Sequence, residues 1–439
     1  MRARLVKGIG LGAVVVAAAL GTLVILTRPS PIAALDAAPA VTAAASFAAQ
    51  SPEALAAGAR VVALGDCMVC HTASNGAAYA GGYALKTPFG TLYSTNITPD
   101  PETGIGRWPL EAFRRALREG VSRDGHLLYP AFPYIHYTRM TDRDIELAYG
   151  YLMSRTPVRA EPRHNELIFP LSFRPVLAGW NLLYLRPGTG LETPQRNQVE
   201  RGRYLVDTLG HCASCHSGMN LMGGERKPAF QGGNIDGWTA PSLTRLASGP
   251  APWRQDELVE YLRGGLSLAH GAAKGPMRPV TEHLGEAPRE DVEAIAAYLM
   301  TIQTAPAPAA TASAVAGARP TPAALTLPAR ADGQGAQLFA AACAGCHAAP
   351  APMMRLAGRP SLARSSALLN GQPDTFIQTV LQGVPWENGS PVYMPPFADA
   401  LSDAQIEQLA AYVRTSVANQ PDWKDVAKTS AKLRKENQP

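Results

Sequence analysis

The feature that most constrains this chain is a five-residue motif that occurs three times. The motif is Cys-x-x-Cys-His, and its copies are CMVCH from Cys67, CASCH from Cys212 and CAGCH from Cys343. Together they use all six cysteines of the 439 residues. Because no cysteine is left over, the pattern does not indicate the disulfide framework that six cysteines often form in an exported protein.

The motif is the attachment signature of haem c. Its two thiols add to the vinyl groups of one porphyrin, and the histidine binds the iron as proximal ligand. Zinc knuckles and thioredoxin-like sites also use Cys-x-x-Cys, but neither needs a histidine directly after it. We therefore predict three covalent haem c groups. The attachment cysteines are Cys67, Cys70, Cys212, Cys215, Cys343 and Cys346, and the proximal ligands are His71, His216 and His347.

The sequence repeats beyond the motifs. WPLEAFRRALREG (108–120) and WRQDELVEYLRGG (253–265) align with helical apolar spacing, and DTFIQTVLQG (374–383) is a weaker copy. A closing helix is predicted in each segment, at 144–152, 291–299 and 405–413, with Tyr151, Tyr298 and Tyr412 in register. Three helices around an apolar macrocycle form a small cytochrome c domain. We therefore predict an all-α fold of three class I cytochrome c domains in tandem.

Distal iron ligands are expected between the middle and closing helices. Met277 lies twelve residues after Gly265, and Met394 lies eleven residues after Gly383. A thioether suits haem iron and raises its potential relative to a second imidazole. We expect Met277 and Met394 to be the distal ligands of the second and third haems.

The first segment breaks this pattern. The residue twelve positions after Gly120 is Phe132, whose side chain cannot bind iron. His136 and Met140 are the two candidates in the same loop, and an open coordination position is a third alternative.

The N-terminal residues indicate export. Residues 8–26 are uncharged and follow Arg2, Arg4 and Lys7. This run is nearly long enough to span a bilayer, and the basic residues before it place the rest of the chain across the membrane. A cleaved signal peptide is the alternative. No long basic block with interleaved aromatics is present, so nucleic acid is not an expected partner.

The predicted organisation follows from these features. An anchor or signal peptide (1–27) and an Ala/Pro-rich tether (28–50) precede cytochrome c domain 1 (51–157) and a connecting segment (158–197). Domain 2 (198–302), an Ala/Pro-rich linker (303–330), domain 3 (331–419) and a basic tail (420–439) complete the chain. We expect the tail to be a solvated, fraying helix end.

Several stretches resemble the cytochrome c subunits of membrane-bound bacterial dehydrogenases. They include TPFGTLYSTNITPDPETGIGRW (87–108), LYPAFPY (128–134), GGNIDGWTAPSLT (232–244) and GPM (275–277). The likeness covers most of residues 55–415. Family members serve quinoprotein alcohol dehydrogenases, flavoprotein gluconate or sugar-acid dehydrogenases, and molybdenum hydroxylases that act on nicotinate, isoquinoline or aldehydes.

The resemblance implies a function in electron transfer. Such subunits have no catalytic site of their own and carry electrons from a catalytic subunit to ubiquinone or a terminal oxidase. The run Ile135-His136-Tyr137-Thr138 and residues 165–185 look most like the molybdenum-hydroxylase branch, although a flavoprotein or quinoprotein partner is possible. That branch favours His136 as distal ligand, while Met140 is the runner-up.

The sequence thus predicts a triple-haem cytochrome of the inner membrane whose bulk faces the periplasm. It would not be an enzyme by itself. A peroxidase-like enzyme with an open first haem and a free-standing electron shuttle are the alternatives.

Overall fold

The computed structural model describes residues 29–33, 51–188, 197–248, 251–304, 333–348, 351, 360–384 and 393–437. The predicted anchor 1–27 lies outside these residues, as do most of the tether 28–50 and most of the linker 303–330. Within the described ranges, no helix combines the length and apolar character needed to cross a bilayer. The chain divides into two compact units, Met1–Pro194 and Gln195–Pro439.

The first unit contains the first haem segment and the connecting segment. Its helices are α1 (Pro52–Leu64), α2 (Cys67–Cys70), α3 (Leu110–Glu119), α4 (Tyr134–Tyr137), α5 (Asp142–Met153) and α6 (Leu177–Tyr184), with a 3₁₀ turn at Arg174–Val176. Strands β1 (Ala84–Thr87), β2 (Gly90–Tyr93) and β3 (Glu166–Leu167) form an antiparallel sheet in the order β1-β2-β3.

The second unit contains the second and third haem segments, which pack against each other. Its second-segment helices are α7 (Gln198–Tyr204), α8 (Ala213–His216), α9 (Gln255–Gly264), α10 (Met277–Glu286) and α11 (Arg289–Thr301), with a π-helical turn at Leu205–Leu209. Two antiparallel hairpins pair β4 (Gly233–Ile235) with β5 (Trp238–Ala240), and β6 (Leu266–Ser267) with β7 (Gly271–Ala272).

The third segment adds further helices to this unit. They are α12 (Gln334–Ala342), α13 (Ala344–His347), α14 (Ser366–Leu369), α15 (Asp374–Gln382), α16 (Asp403–Tyr412) and α17 (Val426–Glu436). A 3₁₀ turn at Leu362–Arg364 precedes α14, and a π-helical turn at Val413–Val417 follows α16. The helix-rich fold was predicted, but the short strands were not, because two to four residues are too few for alternation to be recognised.

Helix ends fall where the repeat predicts them. Gly120 after α3 and Gly265 after α9 adopt left-handed backbone angles, with φ of 63° and 65°. Glycine tolerates this region without a Cβ penalty and commonly ends helices there. Before α16, the Ser402 hydroxyl accepts from the Gln405 amide, and the Gln405 side chain accepts from the Ser402 amide. These two reciprocal bonds form a capping box at the start of α16.

Each haem segment brings its first helix into close contact with its closing helix at a glycine. A Cβ on Gly202 of α7 would lie 1.9 Å from the Ala294 carbonyl oxygen and 2.8 Å from Cβ of Tyr298 on α11. The equivalent contacts join Gly58 to Leu147 and Tyr151, and Gly335 to Gln408 and Tyr412. The three tyrosines that the repeat aligned therefore occupy one structural position, directly against the glycine.

The C-terminal tail is part of the core of the third segment. Val426 and Leu433 of α17 are each 1% exposed and pack in the same cluster as Ile377 and Ile406. Arg434 also reaches Asp403 at 3.2 Å. The expectation of a solvated, fraying end is wrong, because one face of this lysine-rich helix carries the apolar residues that cover α15 and α16.

Candidate haem sites

The chain changes direction just before the first two Cys-x-x-Cys-His motifs. Helix α1 ends at Leu64, and Asp66 then takes a left-handed conformation with φ of 52°, so that α2 begins a new helical turn at Cys67. In the second segment His211, with φ of 35°, takes the same place before Cys212. The motif thus sits on a short helix separate from the long helix before it.

The first two predicted proximal histidines are oriented by backbone carbonyls. His71 Nδ1 lies 2.6 Å from the Thr95 carbonyl oxygen, and His216 Nδ1 lies 2.7 Å from that of Pro241. Since a carbonyl oxygen only accepts hydrogen bonds, Nδ1 carries the proton and Nε2 keeps a lone pair for a metal. Burial lowers the pKa of both imidazoles, and the carbonyl hydrogen bond opposes this shift. The neutral imidazole is the form that binds iron.

The acceptor residues were not identified from the sequence. Thr95 and Pro241 each lie three residues before a threonine, Thr98 and Thr244, and these threonines lie 31 and 32 residues after the first cysteine of their motifs. Their common role rests on a main-chain oxygen, which every residue type has. The matching positions of Thr98 and Thr244 were therefore the one signal in the sequence that could have located these carbonyls. In the third segment His347 ends α13 as His216 ends α8.

Burial favours the thiol form at two of the motif cysteines, Cys67 and Cys343. All six are free. Burial, followed by the charges of Asp66 and Cys70, raises the pKa of Cys67 to about 12, and burial raises that of Cys343 to about 11. Reactive redox cysteines and zinc ligands need the opposite shift. Nowhere in the described ranges do three or more His, Cys, Asp or Glu side chains group to hold a metal ion. Protonated thiols beside a neutral imidazole fit haem c.

The loops after the middle helices are alike in the first two segments. The Leu128 amide donates to the Gly120 carbonyl and the Ala273 amide donates to the Gly265 carbonyl, both at 2.7 Å. Met277 lies four residues beyond Ala273, at the start of α10. Phe132 lies four residues beyond Leu128, so by its offset from this bond it corresponds to the predicted methionine ligand of the second segment.

Met394 is held differently in the third segment. It pairs with Val384 through two backbone hydrogen bonds of 2.8 and 2.9 Å. Gly383 has φ of 69° and lies close to Met394. A Cβ on Gly383 would be 2.3 Å from the Met394 carbonyl oxygen. The glycine that ends α15 is therefore needed to bring the Met394 strand against the helix.

Both candidates for the first distal ligand are buried in one short stretch. His136 of α4 is 5% exposed and Met140 is 2% exposed. Between them, the Tyr137 hydroxyl donates to the Gly65 carbonyl at 2.7 Å, next to the first motif. Arg118 donates to the Met140 carbonyl at 2.7 Å. These bonds tie the loop to α3 and to the turn before Cys67.

Comparison with known proteins agrees with this arrangement. The family described as "Cytochrome c" matches residues 199–303, and that described as "Cytochrome C oxidase, cbb3-type, subunit III" matches residues 330–413. The chain is 35% identical over 378 residues to the fructose dehydrogenase cytochrome subunit of Gluconobacter japonicus, covering 81% of this chain and 77% of the relative. The chain belongs to the family of dehydrogenase cytochrome c subunits.

Other relatives of this cytochrome c subunit serve different dehydrogenases. The gluconate 2-dehydrogenase cytochrome c subunit of Pantoea cypripedii is 34% identical, with coverage of 85% of this chain and 87% of the relative. A nicotinate dehydrogenase subunit of Pseudomonas putida is 46% identical over 86% of this chain, which spans only 31% of that longer protein. The resemblance predicted from the sequence is confirmed. The cytochrome c subunit is an electron-transfer component of a dehydrogenase and works with a separate catalytic subunit.

Proposed function

We propose that this protein carries three haem c groups and passes electrons from a periplasmic dehydrogenase to ubiquinone or a terminal oxidase. Residues 8–26 would hold it at the inner membrane, with the bulk of the chain facing the periplasm. The observation that carries the proposal is the contact between first and closing helices, at Gly58, Gly202 and Gly335. Each contact precedes one Cys-x-x-Cys-His motif, so all three segments have the frame of one haem domain.

The proposed iron ligands follow from this frame. His71, His216 and His347 would bind from the proximal side, and Met277 and Met394 would be distal in the second and third segments. Phe132 at the Met277 position supports a different ligand in the first, for which we propose His136. Bound haem supplies the redox chemistry, while the protein supplies attachment, axial ligands and burial.

We further propose a molybdenum hydroxylase as the catalytic partner. Support comes from the 46% identity to the nicotinate dehydrogenase subunit, which exceeds the identities of 34% and 35% to the gluconate and fructose dehydrogenase subunits. A flavoprotein or quinoprotein partner is the competing assignment.

The test is purification of the tagged protein from its native host after gentle detergent extraction. The copurified catalytic subunit is analysed for molybdenum, flavin and pyrroloquinoline quinone. Addition of its substrate to the complex should reduce the haem absorption bands. Molybdenum is the expected cofactor, whereas flavin or quinone would overturn the assignment of the partner. A cytochrome that elutes alone would instead support a free-standing shuttle.

A further inference from the structure

The connecting segment carries an unusual concentration of exposed apolar side chains. In the part of the chain that the structure describes, ten large hydrophobic residues are exposed, and five of them lie between positions 168 and 183. The five are Ile168 (56%), Phe169 (85%), Phe173 (58%), Leu182 (80%) and Leu183 (51%). We call this set the apolar face. Large exposed apolar patches on a protein surface mark contact with another protein or with a membrane.

Polar groups hold the segment in place from the inside. The Tyr129 hydroxyl donates to the Leu171 carbonyl at 3.0 Å, and the Arg174 guanidinium donates to the Leu127 carbonyl at 2.9 Å. On α6, the Tyr134 hydroxyl lies 2.6 Å from Asn181 Oδ1. These bonds anchor the backbone that carries the five exposed side chains of the apolar face.

The charge of the segment favours lipid. No acidic residue lies between Glu166 and Glu192, and the two charged residues in that interval are Arg174 and Arg186. The rings of Trp180 and Tyr184 contact each other on the same helix, with centroids 4.8 Å apart and an interplanar angle of 37°. Exposed Phe and Leu with Trp and Tyr are the composition of elements that lie in a bilayer interface, where the exposed Arg186 would meet anionic headgroups.

Residues 29–32 also pack close to this face of the first unit. Arg115 donates to the Ser30 carbonyl at 2.6 Å, and the Ile32 amide donates to the Arg123 carbonyl at 2.8 Å. The predicted membrane run ends at Leu26, so at most about 14 Å of extended chain separates it from Ser30. With residues 8–26 in the membrane as proposed, this short tether would hold the first unit at the bilayer surface.

The loop 125–129 contacts both the N-terminal residues and the connecting segment. Gly125 approaches Pro29 so closely that a Cβ would lie 2.2 Å from its carbonyl oxygen. Two and four residues later in the same loop, Leu127 and Tyr129 hold the connecting segment. The attachment point of the membrane run and the apolar face are therefore neighbours on one unit.

We propose that the apolar face inserts into the bilayer interface beside the membrane anchor and fixes the orientation of the first haem segment relative to the membrane. The proposal rests on the membrane attachment proposed above. It assigns residues 167–185 a lipid contact that the attachment of residues 8–26 does not by itself require.

The experiment reconstitutes the full holoprotein into vesicles of phosphatidylcholine and anionic phosphatidylglycerol that contain a photoactivatable phospholipid. Lipid adducts are mapped by peptide mass spectrometry. We expect adducts on peptides from both 8–26 and 167–185. Adducts on 167–185 when residues 8–26 are absent from the mature chain would support the lipid contact of the apolar face and contradict the anchor proposed for residues 8–26.

Two results would overturn it in different ways. Adducts on 8–26 alone would leave the anchor intact and remove the lipid contact of the apolar face, which would then be a surface for the catalytic subunit. The absence of adducts from both peptides would contradict membrane attachment altogether.

A pair of variants distinguishes insertion of the apolar face from nonspecific adsorption of exposed apolar side chains to lipid. Phe169→Ser with Leu182→Ser should remove most adducts from 167–185 and leave the haem spectrum unchanged. The control, Leu221→Ser with Met222→Ser, alters side chains that are 98% and 56% exposed on the second unit. It should keep the adduct yield of the unmodified protein. Equal losses in both variants would also contradict the proposal.

Discussion

His216 Nδ1 lies 2.7 Å from the carbonyl oxygen of Pro241, and this bond fixes how the second predicted haem ligand presents Nε2. A hydrogen bond at the outer nitrogen orients a ligating histidine and raises its basicity. Because the acceptor is a main-chain atom, its position depends on what holds the β4–β5 hairpin just before it. Thr375 of the third segment does so, since its hydroxyl accepts from the Thr239 amide at 3.0 Å.

Thr375→Val should therefore raise the midpoint potential of one haem and leave the others unchanged. Valine cannot accept the Thr239 hydrogen bond, so the hairpin loosens and the bond to His216 weakens. A less basic imidazole stabilises the oxidised iron less. Spectroelectrochemical titration measures the effect.

The matched control is Thr379→Val on the same helix. The Thr379 hydroxyl donates to the Thr375 carbonyl within α15 at 2.6 Å and has no bond to the hairpin. Equal shifts in both variants would show that general loosening of α15, rather than the hairpin, sets the potential.

Gly202→Ala should lower the free energy of unfolding by about 2–3 kcal/mol, because its Cβ would meet a backbone oxygen at 1.9 Å that cannot move aside alone. Gly264→Ala is the control. Nothing lies within 4 Å of the Cβ position there, and alanine is the better helix former by about 0.5–1 kcal/mol. Urea unfolding of the holoproteins by circular dichroism compares them, and similar midpoints would contradict the helix contact.

Leu433→Ala should destabilise the third segment by about 2–4 kcal/mol, since the side chain is 1% exposed and its removal leaves a cavity. Lys432→Ala, at a side chain that is 70% exposed, should change stability by less than about 0.5 kcal/mol. The same urea titration applies. If the leucine variant were as stable as the lysine variant, the tail would be the fraying end that its sequence suggests.

Parts of the fold could be read from the sequence because local signals specify them. Helix α9 has apolar spacing and a terminal glycine, and α16 has a capping box. The carbonyls of Thr95 and Pro241 could not be identified as hydrogen-bond acceptors, because every residue type has a main-chain oxygen. Gly202 could not be singled out either, since its partner Ala294 lies far along the chain and a lone helical glycine has no distinctive pattern.

The first distal ligand can be decided by two substitutions. His136→Ala should change the absorption and magnetic circular dichroism spectra of one haem, because an imidazole ligand is lost. Met140→Leu should leave all three spectra unchanged, since leucine fills the same buried space. The opposite pair of results would assign the iron to Met140. With two imidazoles, the first haem should also have the lowest midpoint potential of the three.

The most direct test of the whole interpretation is the number of haems covalently attached to the mature protein. Acid denaturation, removal of free haem, intact-mass measurement and a pyridine haemochrome assay give this number per chain. We expect three attached haems and no titratable thiol among the six cysteines. A protein from its native host with six titratable or zinc-bound sulfurs and no attached porphyrin would contradict it.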